Sequence, residues 1–336
     1  MDGPPPEAPE VVAAAAPEMR RTALLPDVWL LETTTTGPAV LRLPLSPSAH
    51  AAGGGMQFGR LDHAGHLLEG WCTDTALGST YFHAPVLHVS DGWTLIVDTV
   101  SRYRFDVGAS DPAWLEVTVP DGRLRAFLVS GTPRRGLQVL HELTGPPAET
   151  PHWAFGVWHN LRSGQEAVLK QAARLRREHI PATALWIEDH YDAETNDGDG
   201  WPGNYPAGEY RDLAQLVRDL QAQDFRALTY VNPMLYRNTP ACDEAIAQGL
   251  VVTDACGSPD WQRFFHPLHG HRGMVDFEDA IAVPIDFTNA HAVVWWQRYV
   301  RRLLTERGWD GWMEDFGEQI PPAAVLHDGQ SGAEVH

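Results

Sequence analysis

The segment Asp310–Glu318 carries the residues whose types and spacing are best suited to chemistry. Its sequence is Asp-Gly-Trp-Met-Glu-Asp-Phe-Gly-Glu, a short apolar run that leads into a cluster of carboxylates. The apolar residues that open the run suit a buried parallel strand, and Gly317 marks the turn that ends it. Glu314, Asp315 and Glu318 therefore lie at the carboxyl end of the predicted strand, which is where parallel barrels place their active sites.

Acids also follow two other predicted strands. Glu188 and Asp189 end the strand predicted at Thr183–Glu188, and Asp286 ends another short apolar run. This recurrence of acids at strand ends indicates a shared site. A single acid after a strand is usually a helix cap, however, and the sequence Asp286-Phe-Thr-Asn289 is typical of one, so we assign Asp286 a structural role.

Asp315 differs from Asp286 in its apolar neighbours. Trp312 and Phe316 flank Asp315 with surface that can stack on a ligand, which a helix cap does not need. Because adjacent residues of a strand face opposite sides, Glu314 is expected to point away from Asp315. Asp315 is therefore the carboxylate that we expect to act in the site.

The composition describes a globular chain with a strong negative charge. Its 336 residues are 43% hydrophobic and include 13 Trp, which is sufficient for sizeable cores. The net charge of −19 disfavours nucleic acid and anionic lipid as partners. Three widely spaced cysteines without a Cys-x-x-Cys motif indicate neither a disulfide framework nor a zinc site. No apolar run approaches the roughly 18 residues that span a bilayer, and no basic signal region opens the chain, so we expect a cytoplasmic protein.

Changes in composition divide the chain into three segments. Residues 1–55 are rich in Ala, Pro, Thr and Gly, which predicts a low-complexity or weakly ordered segment made mostly of loop. The strands predicted in it lie near Val28–Glu32 and Ala39–Leu43. Residues 56–147 alternate in short apolar runs separated by turn residues, which predicts a partial antiparallel β domain.

Residues 148–336 predict parallel βα units, because helical periodicity alternates there with short apolar runs. Counted from Thr183–Glu188 as the first strand, Asp286 ends the third and Asp315 the fourth. The sequence Ser163-Gly-Gln-Glu166 predicts a capping box at the start of the first helix. The insert 254–280 is rich in His and aromatic residues and is expected to form a loop over the strand ends.

From about residue 56 onwards the chain resembles glycoside hydrolase family 31, the retaining α-glycosidases that include α-glucosidases, α-xylosidases and sulfoquinovosidases. The motifs that carry the resemblance occur in the family's order. They are Trp71-Cys-Thr-Asp74 with Gly78-Ser-Thr-Tyr81, Arg102-Tyr-Arg-Phe-Asp106, Pro151-His-Trp-Ala-Phe-Gly-Val-Trp158, Trp186-Ile-Glu-Asp-His-Tyr191, Asp286-Phe-Thr-Asn289 and Trp312-Met-Glu-Asp-Phe-Gly-Glu318. The resemblance implies a β-sandwich N-terminal domain followed by an α/β domain, the (β/α)8 TIM barrel.

The resemblance also implies roles for residues at matching positions. Asp315 is similar to the family's nucleophile, and a retaining glycosidase does attack the anomeric carbon with a carboxylate. His190 stands where the family usually has an acid, so it departs from the pattern. The substrate-binding residues that the resemblance implies are Asp74, Glu188, His190, Trp201 and Phe316. Glu318 is expected to support the turn that follows the nucleophile.

A second departure concerns the acid/base. In the family this residue lies on a later barrel strand, whereas the present sequence stops at His336. We therefore expect the acid/base to be absent and only about the first half of the barrel to be present. Loss of general acid catalysis alone removes roughly 10²-fold or more in rate, so a truncated chain of this kind is expected to hydrolyse weakly or not at all.

Alternative interpretations stay open. The chain is also compatible with a non-catalytic carbohydrate-binding or regulatory product, or with a fragment that does not fold alone because an open half-barrel exposes strand edges. The histidines of His266–His271 lack a fixed helical spacing and matching acids, so no metal or other cofactor is predicted. The expected partner is an α-linked glycoside, and an oligomer is compatible with the sequence.

The loop after the first predicted strand bears on the identity of the sugar. Sulfoquinovosidase-type members of the family use an Arg-x-x-Trp clamp for the sulfonate. The corresponding loop, Glu194 to Tyr205, contains no Arg and has Trp201 as its single Trp. A sulfonated sugar is therefore disfavoured, and the residues do not choose between an α-glucoside and an α-xyloside.

Overall fold

The structure is a computed structural model that describes residues 19–57, 59–71, 80–161, 163–187, 210–237, 239–263, 281–315, 317 and 320–335. The chain divides into two compact units. The first is Met1–Ala148 with Ala333–His336, and the second is Glu149–Gly332. The division lies next to Pro146-Pro147, where two fixed φ angles and two missing N–H groups disfavour regular structure.

Up to Ala148, the described part of the first unit consists of two antiparallel sheets and one helix. Its strands are β1 (Arg20–Leu25), β2 (Val28–Thr34), β3 (Ala39–Pro44), β4 (Ala51–Gln57), β5 (His66–Gly70), β6 (Thr80–Val89), β7 (Trp93–Val97), β8 (Tyr103–Val107), β9 (Trp114–Val119) and β10 (Arg123–Ser130). The strand orders are β1-β2-β10-β7-β6-β4 in one sheet and β3-β9-β8-β5 in the other. The helix α1 (Pro133–Thr144) follows β10 and begins after the N-cap Thr132.

Strand alternation places apolar side chains between these two sheets. In β3, Leu41 and Leu43 are fully buried while Arg42 between them is partly exposed, which is the period expected of a strand with one buried face. Leu31 of β2, Leu95 of β7 and Phe105 of β8 belong to the same core cluster as these leucines. The two sheets therefore pack face to face as a β-sandwich.

The region before residue 56 contains more strand than its composition suggests. β2 and β3 coincide with the two predicted strands, whereas β1 and β4 occupy residues expected to be loop. The run Gly53-Gly54-Gly55 lies inside β4, where the register against β6 shifts. A Cβ at Gly53 would lie 2.3 Å from the carbonyl oxygen of Val86, and one at Gly55 would lie 2.3 Å from that of Phe82. These glycines therefore permit a bulged strand with close backbone approach, a use that composition alone does not separate from a linker.

The second unit combines strands and helices. Its strands are β11 (Trp158–Leu161), β12 (Ala184–Ile187), β13 (Arg226–Val231), β14 (Met234–Tyr236), β15 (Gln262–Arg263), β16 (Ile281–Pro284) and β17 (Gly311–Glu314). Its helices are α2 (Gln165–Arg177), α3 (Leu213–Gln221), α4 (Pro240–Ala247) and α5 (Ala290–Val300), and α6 (Gly332–Val335) begins at its last residue. A 3-10 turn at His152–Phe155 precedes β11, and a π-helical turn at Arg301–Thr305 follows α5.

Four strands of the second unit form a parallel sheet in the order β11-β12-β13-β17. α2 connects β11 to β12, α3 precedes β13, and α5 precedes β17. Leu185 and Ile187 of β12 and Val231 of β13 share a core cluster with Leu175 of α2 and Leu216 of α3. The helices thus cover one face of the sheet, and the unit is built from parallel βα repeats, as the sequence predicts.

Two strands have other partners than the sequence predicts. The parallel sheet begins with Trp158–Leu161, so the strand at 184–187 is the second and not the first. Ile281–Pro284, predicted to be the third parallel strand, instead pairs antiparallel with β14 and β15. β13 pairs directly with β17, from Leu228 opposite Gly311 to Val231 opposite Glu314. The prediction fails here because a short apolar run does not encode which distant strand it will join.

The predicted capping box at Ser163 is also wrong. The N-cap of α2 is Gly164, and Ser163 precedes it with a φ of +82° instead of the extended conformation of an N-cap. The backbone N–H of Gly164 donates to the hydroxyl of Tyr210 at 3.2 Å. A tertiary contact therefore replaces the local cap that the sequence suggests.

Candidate active site

Asp315 is the first residue after β17, at the carboxyl end of the parallel sheet. Its backbone N–H donates to the carbonyl oxygen of Val231 at 2.9 Å, so the ladder between β13 and β17 continues into it. The residue is partly exposed. This is the edge at which (β/α) barrels carry their catalytic groups, and it is the position that the predicted strand end gives Asp315.

Tyr230 of β13 contacts the Asp315 carboxylate. Its hydroxyl donates a hydrogen bond to Oδ2 of Asp315 at 2.5 Å, and the residue is only 6% exposed. On its other side the ring of Trp186, from β12, lies 5.9 Å away at an angle of 40°. Sequence reasoning missed Tyr230. The available signal was a tyrosine inside a buried strand, where the hydroxyl needs a partner.

Glu314 occupies the opposite face of β17. Its Oε1 accepts a hydrogen bond from the indole nitrogen of Trp296, on α5, at 3.3 Å. Glu314 therefore faces the helix layer and points away from Asp315, as predicted. Strand alternation puts Trp312 on the same face as Glu314, so the prediction that Trp312 flanks the Asp315 carboxylate is wrong. Trp312 comes three residues before Asp315, and in a strand an odd separation puts two side chains on opposite faces.

Asp286 has the structural role that the sequence favours. The residue is 3% exposed, and its carboxylate accepts hydrogen bonds from the Thr288 backbone at 3.0 Å, the Thr288 hydroxyl at 2.6 Å and the His327 backbone at 2.7 Å. The N-cap of α5 is Asn289, whose Oδ1 accepts from the backbone N–H of His291 at 2.9 Å. Asp286 thus fixes the loop before the helix and ties it to residue 327.

Asp310, at the amino end of β17, is a carboxylate whose role sequence reasoning missed. Its Oδ2 accepts from the backbone N–H of Ala227 at 2.9 Å and from Gln221 Nε2 at 3.0 Å. Its Oδ1 accepts from Arg226 Nη1 at 2.9 Å. The Asp310 backbone N–H also donates to the carbonyl oxygen of Ala227 at 2.9 Å. Asp310 therefore fixes the register of β17 against β13, and this register brings Asp315 to Tyr230.

Most of the other predicted site residues lie outside the described residues. They are Asp74, Glu188, Asp189, His190, Trp201, Phe316, Glu318 and the histidines of 266–271. Within the described ranges, no group of three or more His, Cys, Asp or Glu side chains could hold a metal ion. Of the helices in the part of the chain that the structure describes, none is both long and apolar enough to cross a membrane.

A sheet of parallel βα units with a carboxylate at the carboxyl end of a strand occurs in (β/α)-barrel enzymes and in open α/β sheets. The sequence profile described as the glycosyl hydrolases family 31 TIM-barrel domain matches residues 147–335. The chain therefore belongs to glycoside hydrolase family 31, which confirms the resemblance derived from its motifs.

Curated relatives and solved structures agree with this assignment. The chain is 25% identical over 322 residues to a sulfoquinovosidase of Escherichia coli, covering 88% of the chain and 45% of the relative. It is 26% identical over 291 residues to the α-xylosidase XylQ of Lactiplantibacillus pentosus, covering 84% and 36%. A family 31 dextranase of Flavobacterium johnsoniae superposes with a TM-score of 0.77 at 17% identity, covering 97% of this chain and 43% of the dextranase, and supports the fold alone. The chain spans less than half the length of these relatives.

Proposed function

We propose that this chain carries the nucleophile of a retaining α-glycosidase and that Asp315 is this nucleophile. The observation that carries the proposal is the position of Asp315 at the carboxyl end of β17, inside the segment that matches the family 31 barrel domain. A carboxylate there can attack the anomeric carbon of a bound sugar and form a covalent glycosyl-enzyme, which water then hydrolyses.

The remaining roles follow from the resemblance. The residues proposed to bind the sugar are Asp74, Glu188, His190, Trp201 and Phe316, with Glu318 as a support of the turn. The retaining mechanism also requires a second carboxyl group that protonates the leaving oxygen. The motifs identified in this sequence do not include that acid, and the test of Asp315 is therefore designed to be independent of it.

The proposed substrate is an α-linked neutral sugar. Relatives named sulfoquinovosidase and α-xylosidase suggest two classes, a sulfonated and a neutral glycoside. The loop from Glu194 to Tyr205 contains no Arg to form the sulfonate clamp, which favours the neutral class. Both an α-glucoside and an α-xyloside fit this description.

An activated fluoroglycosyl fluoride tests the nucleophile. Fluoride leaves without protonation, so the sugar transfers to the carboxylate even when no acid assists. We expect incubation of the 336-residue chain with α-glucosyl or α-xylosyl reagents to add one sugar to the peptide that contains Asp315. Peptide mass spectrometry locates the label.

Glu314→Gln is the matched control, because Glu314 is the adjacent carboxylate on the opposite face of the strand. It should label like the wild type, whereas Asp315→Asn should not label at all. If the chain is folded by circular dichroism but stays unlabelled, the nucleophile proposal fails. Sugar binding by calorimetry in that case would favour a carbohydrate-binding function without cleavage.

A further inference from the structure

The hydrogen bond between Tyr230 and Asp315 has the geometry of a charge-assisted contact. Its length of 2.5 Å is at the short end of the range for a hydroxyl that donates to a carboxylate. Tyr230 is buried, with 6% of the residue's surface exposed. A hydrogen bond to a charged group is stronger than one between two neutral groups.

Both partners of this bond are held by the strands on which they lie. Tyr230 is in register with Met313, and strand alternation puts Met313 and Asp315 on the same face. The Asp315 backbone is tied to Val231 at 2.9 Å, which fixes its distance from β13. The ring of Trp186, 5.9 Å from that of Tyr230, restricts movement of the phenol on the other side. The phenol therefore constrains the orientation of the carboxylate.

We propose that Tyr230 is a positioning residue for Asp315: it holds Oδ2, so that Oδ1 forms the bond to the sugar. This proposal rests on the proposed function. In the first step the bond between Oδ1 and the anomeric carbon forms, and the leaving group departs with the electron pair of its own bond to that carbon. In the second step a water oxygen bonds to the anomeric carbon, the electron pair of the ester bond returns to Oδ1, and the water proton passes to solvent. The phenol stays protonated throughout.

The two steps depend on the phenol to different extents. A hydroxyl donates more strongly to a carboxylate than to the carbonyl oxygen of an ester. The hydrogen bond therefore strengthens as the carboxylate is released in the second step and weakens as it is consumed in the first. Removal of the hydroxyl should slow release of the sugar more than its attachment.

Tyr230→Phe tests this difference because it removes one hydroxyl and keeps the ring. After labelling with the fluoroglycosyl fluoride and removal of excess reagent, the half-life of the labelled enzyme should lengthen about 10- to 100-fold, as expected for the loss of one charge-assisted hydrogen bond. The rate of labelling should change less. A purely structural effect would not shift the ratio of the two rates in this direction.

Tyr210→Phe is the matched control. Tyr210 is also a buried tyrosine of the second unit, and its hydroxyl accepts from the backbone of Gly164. The label on Tyr210→Phe should have the half-life of the wild-type label. If the wild type labels but Tyr230→Phe releases its sugar at the wild-type rate, the positioning role is overturned while the nucleophile assignment stands.

A double-mutant cycle on thermal stability separates the contact from the activity. The melting-temperature changes of Tyr230→Phe and Asp315→Ala should be non-additive, by about 2 °C or more, because each removes the same bond. Additive changes would overturn the contact itself. If the wild type fails to label but the changes are non-additive, the proposed function fails, and with it the catalytic consequence of the contact, while the contact stands.

Discussion

The two ends of the β13–β17 strand pair hold their carboxylates in different ways. At the amino end, Asp310 is 14% exposed in its side chain, and both of its oxygens accept hydrogen bonds, including one from a backbone N–H. At the carboxyl end, Asp315 is partly exposed and is contacted by the phenol of Tyr230. One carboxylate is used to fix the register of a strand, and the other is presented at the edge where barrels bind ligands. Conversion of a carboxylate to a neutral side chain should therefore affect stability at one end and chemistry at the other.

The largest expected effect is the loss of reaction at the carboxyl end. Asp315→Asn should reduce sugar transfer from the activated fluoride by about 10⁴-fold or more, because the attacking oxygen is lost. The melting temperature should stay within about 2 °C of the wild type, since the amide oxygen can still accept from Tyr230. If Asp315→Asn unfolds the chain, or if it transfers the sugar at the wild-type rate, the proposed difference between the two strand ends is contradicted. Mass spectrometry of samples quenched at successive times measures the transfer rate, and differential scanning fluorimetry measures the melting temperature.

Asp310→Ala should have the largest effect on stability. It leaves the buried N–H of Ala227 without its side-chain acceptor and removes the contacts to Gln221 and Arg226. We expect the free energy of unfolding to fall by about 2–3 kcal/mol, measured by urea titration. Glu178→Ala is the control, because Glu178, the residue after α2, makes an exposed ion pair with Arg174, and it should change the free energy by less than about 0.5 kcal/mol. Equal effects of the two variants would contradict the role of Asp310.

The stability of the first unit should depend on pH, because this unit contains partly or fully buried histidines. Burial lowers the pKa of His63 and of His88 below the ordinary value of 6.5. In the unfolded chain the histidines take up protons near pH 6.5, whereas in the folded unit they resist protonation. The free energy of unfolding therefore has its full value above pH 6.5 and decreases as the pH falls below it. We expect the melting temperature to fall by about 3 °C between pH 7.5 and pH 5.5, and less in His88→Gln. An unchanged melting temperature in the wild type would show that these histidines do not limit acid stability.

Gly311→Ala should have the smallest effect. Gly311 lies opposite Leu228 in the strand pair, and an added Cβ would come to 3.4 Å from a methyl carbon of Leu228, an ordinary contact. The variant should melt within about 1 °C of the wild type by fluorimetry, because Asp310 and not Gly311 fixes the register. A loss as large as that of Asp310→Ala would instead show that close packing at Gly311 sets the pairing.

The sequence predicts features that depend on local periodicity. The parallel βα units, the strand that ends just before Asp315 and the opposite orientation of Glu314 all follow from short-range patterns and are present in the structure. The family followed from motifs in order, and the match over residues 147–335 confirms it. Such features are accessible because they need no knowledge of distant partners.

Features that depend on long-range pairing were missed. Trp158–Leu161 is a strand because β12 is available beside it, and Ile281–Pro284 leaves the parallel sheet because β14 and β15 compete for it. The contact between Tyr230 and Asp315 joins residues 85 positions apart, and the type of one residue does not indicate that the other is its partner. The roles of Asp74 and Glu188 stay predictions.

Because the glycine run lies inside β4, it is not a linker at which the chain can be shortened, and this matters for recombinant work on the protein. A fragment that starts at residue 56 would discard β2 and β3, which supply Leu31, Leu41 and Leu43 to the sandwich interior. It would also uncover the edges of β10 and β9, to which those strands pair. Unpaired strand edges next to an exposed apolar core pair between molecules, so such a fragment should precipitate.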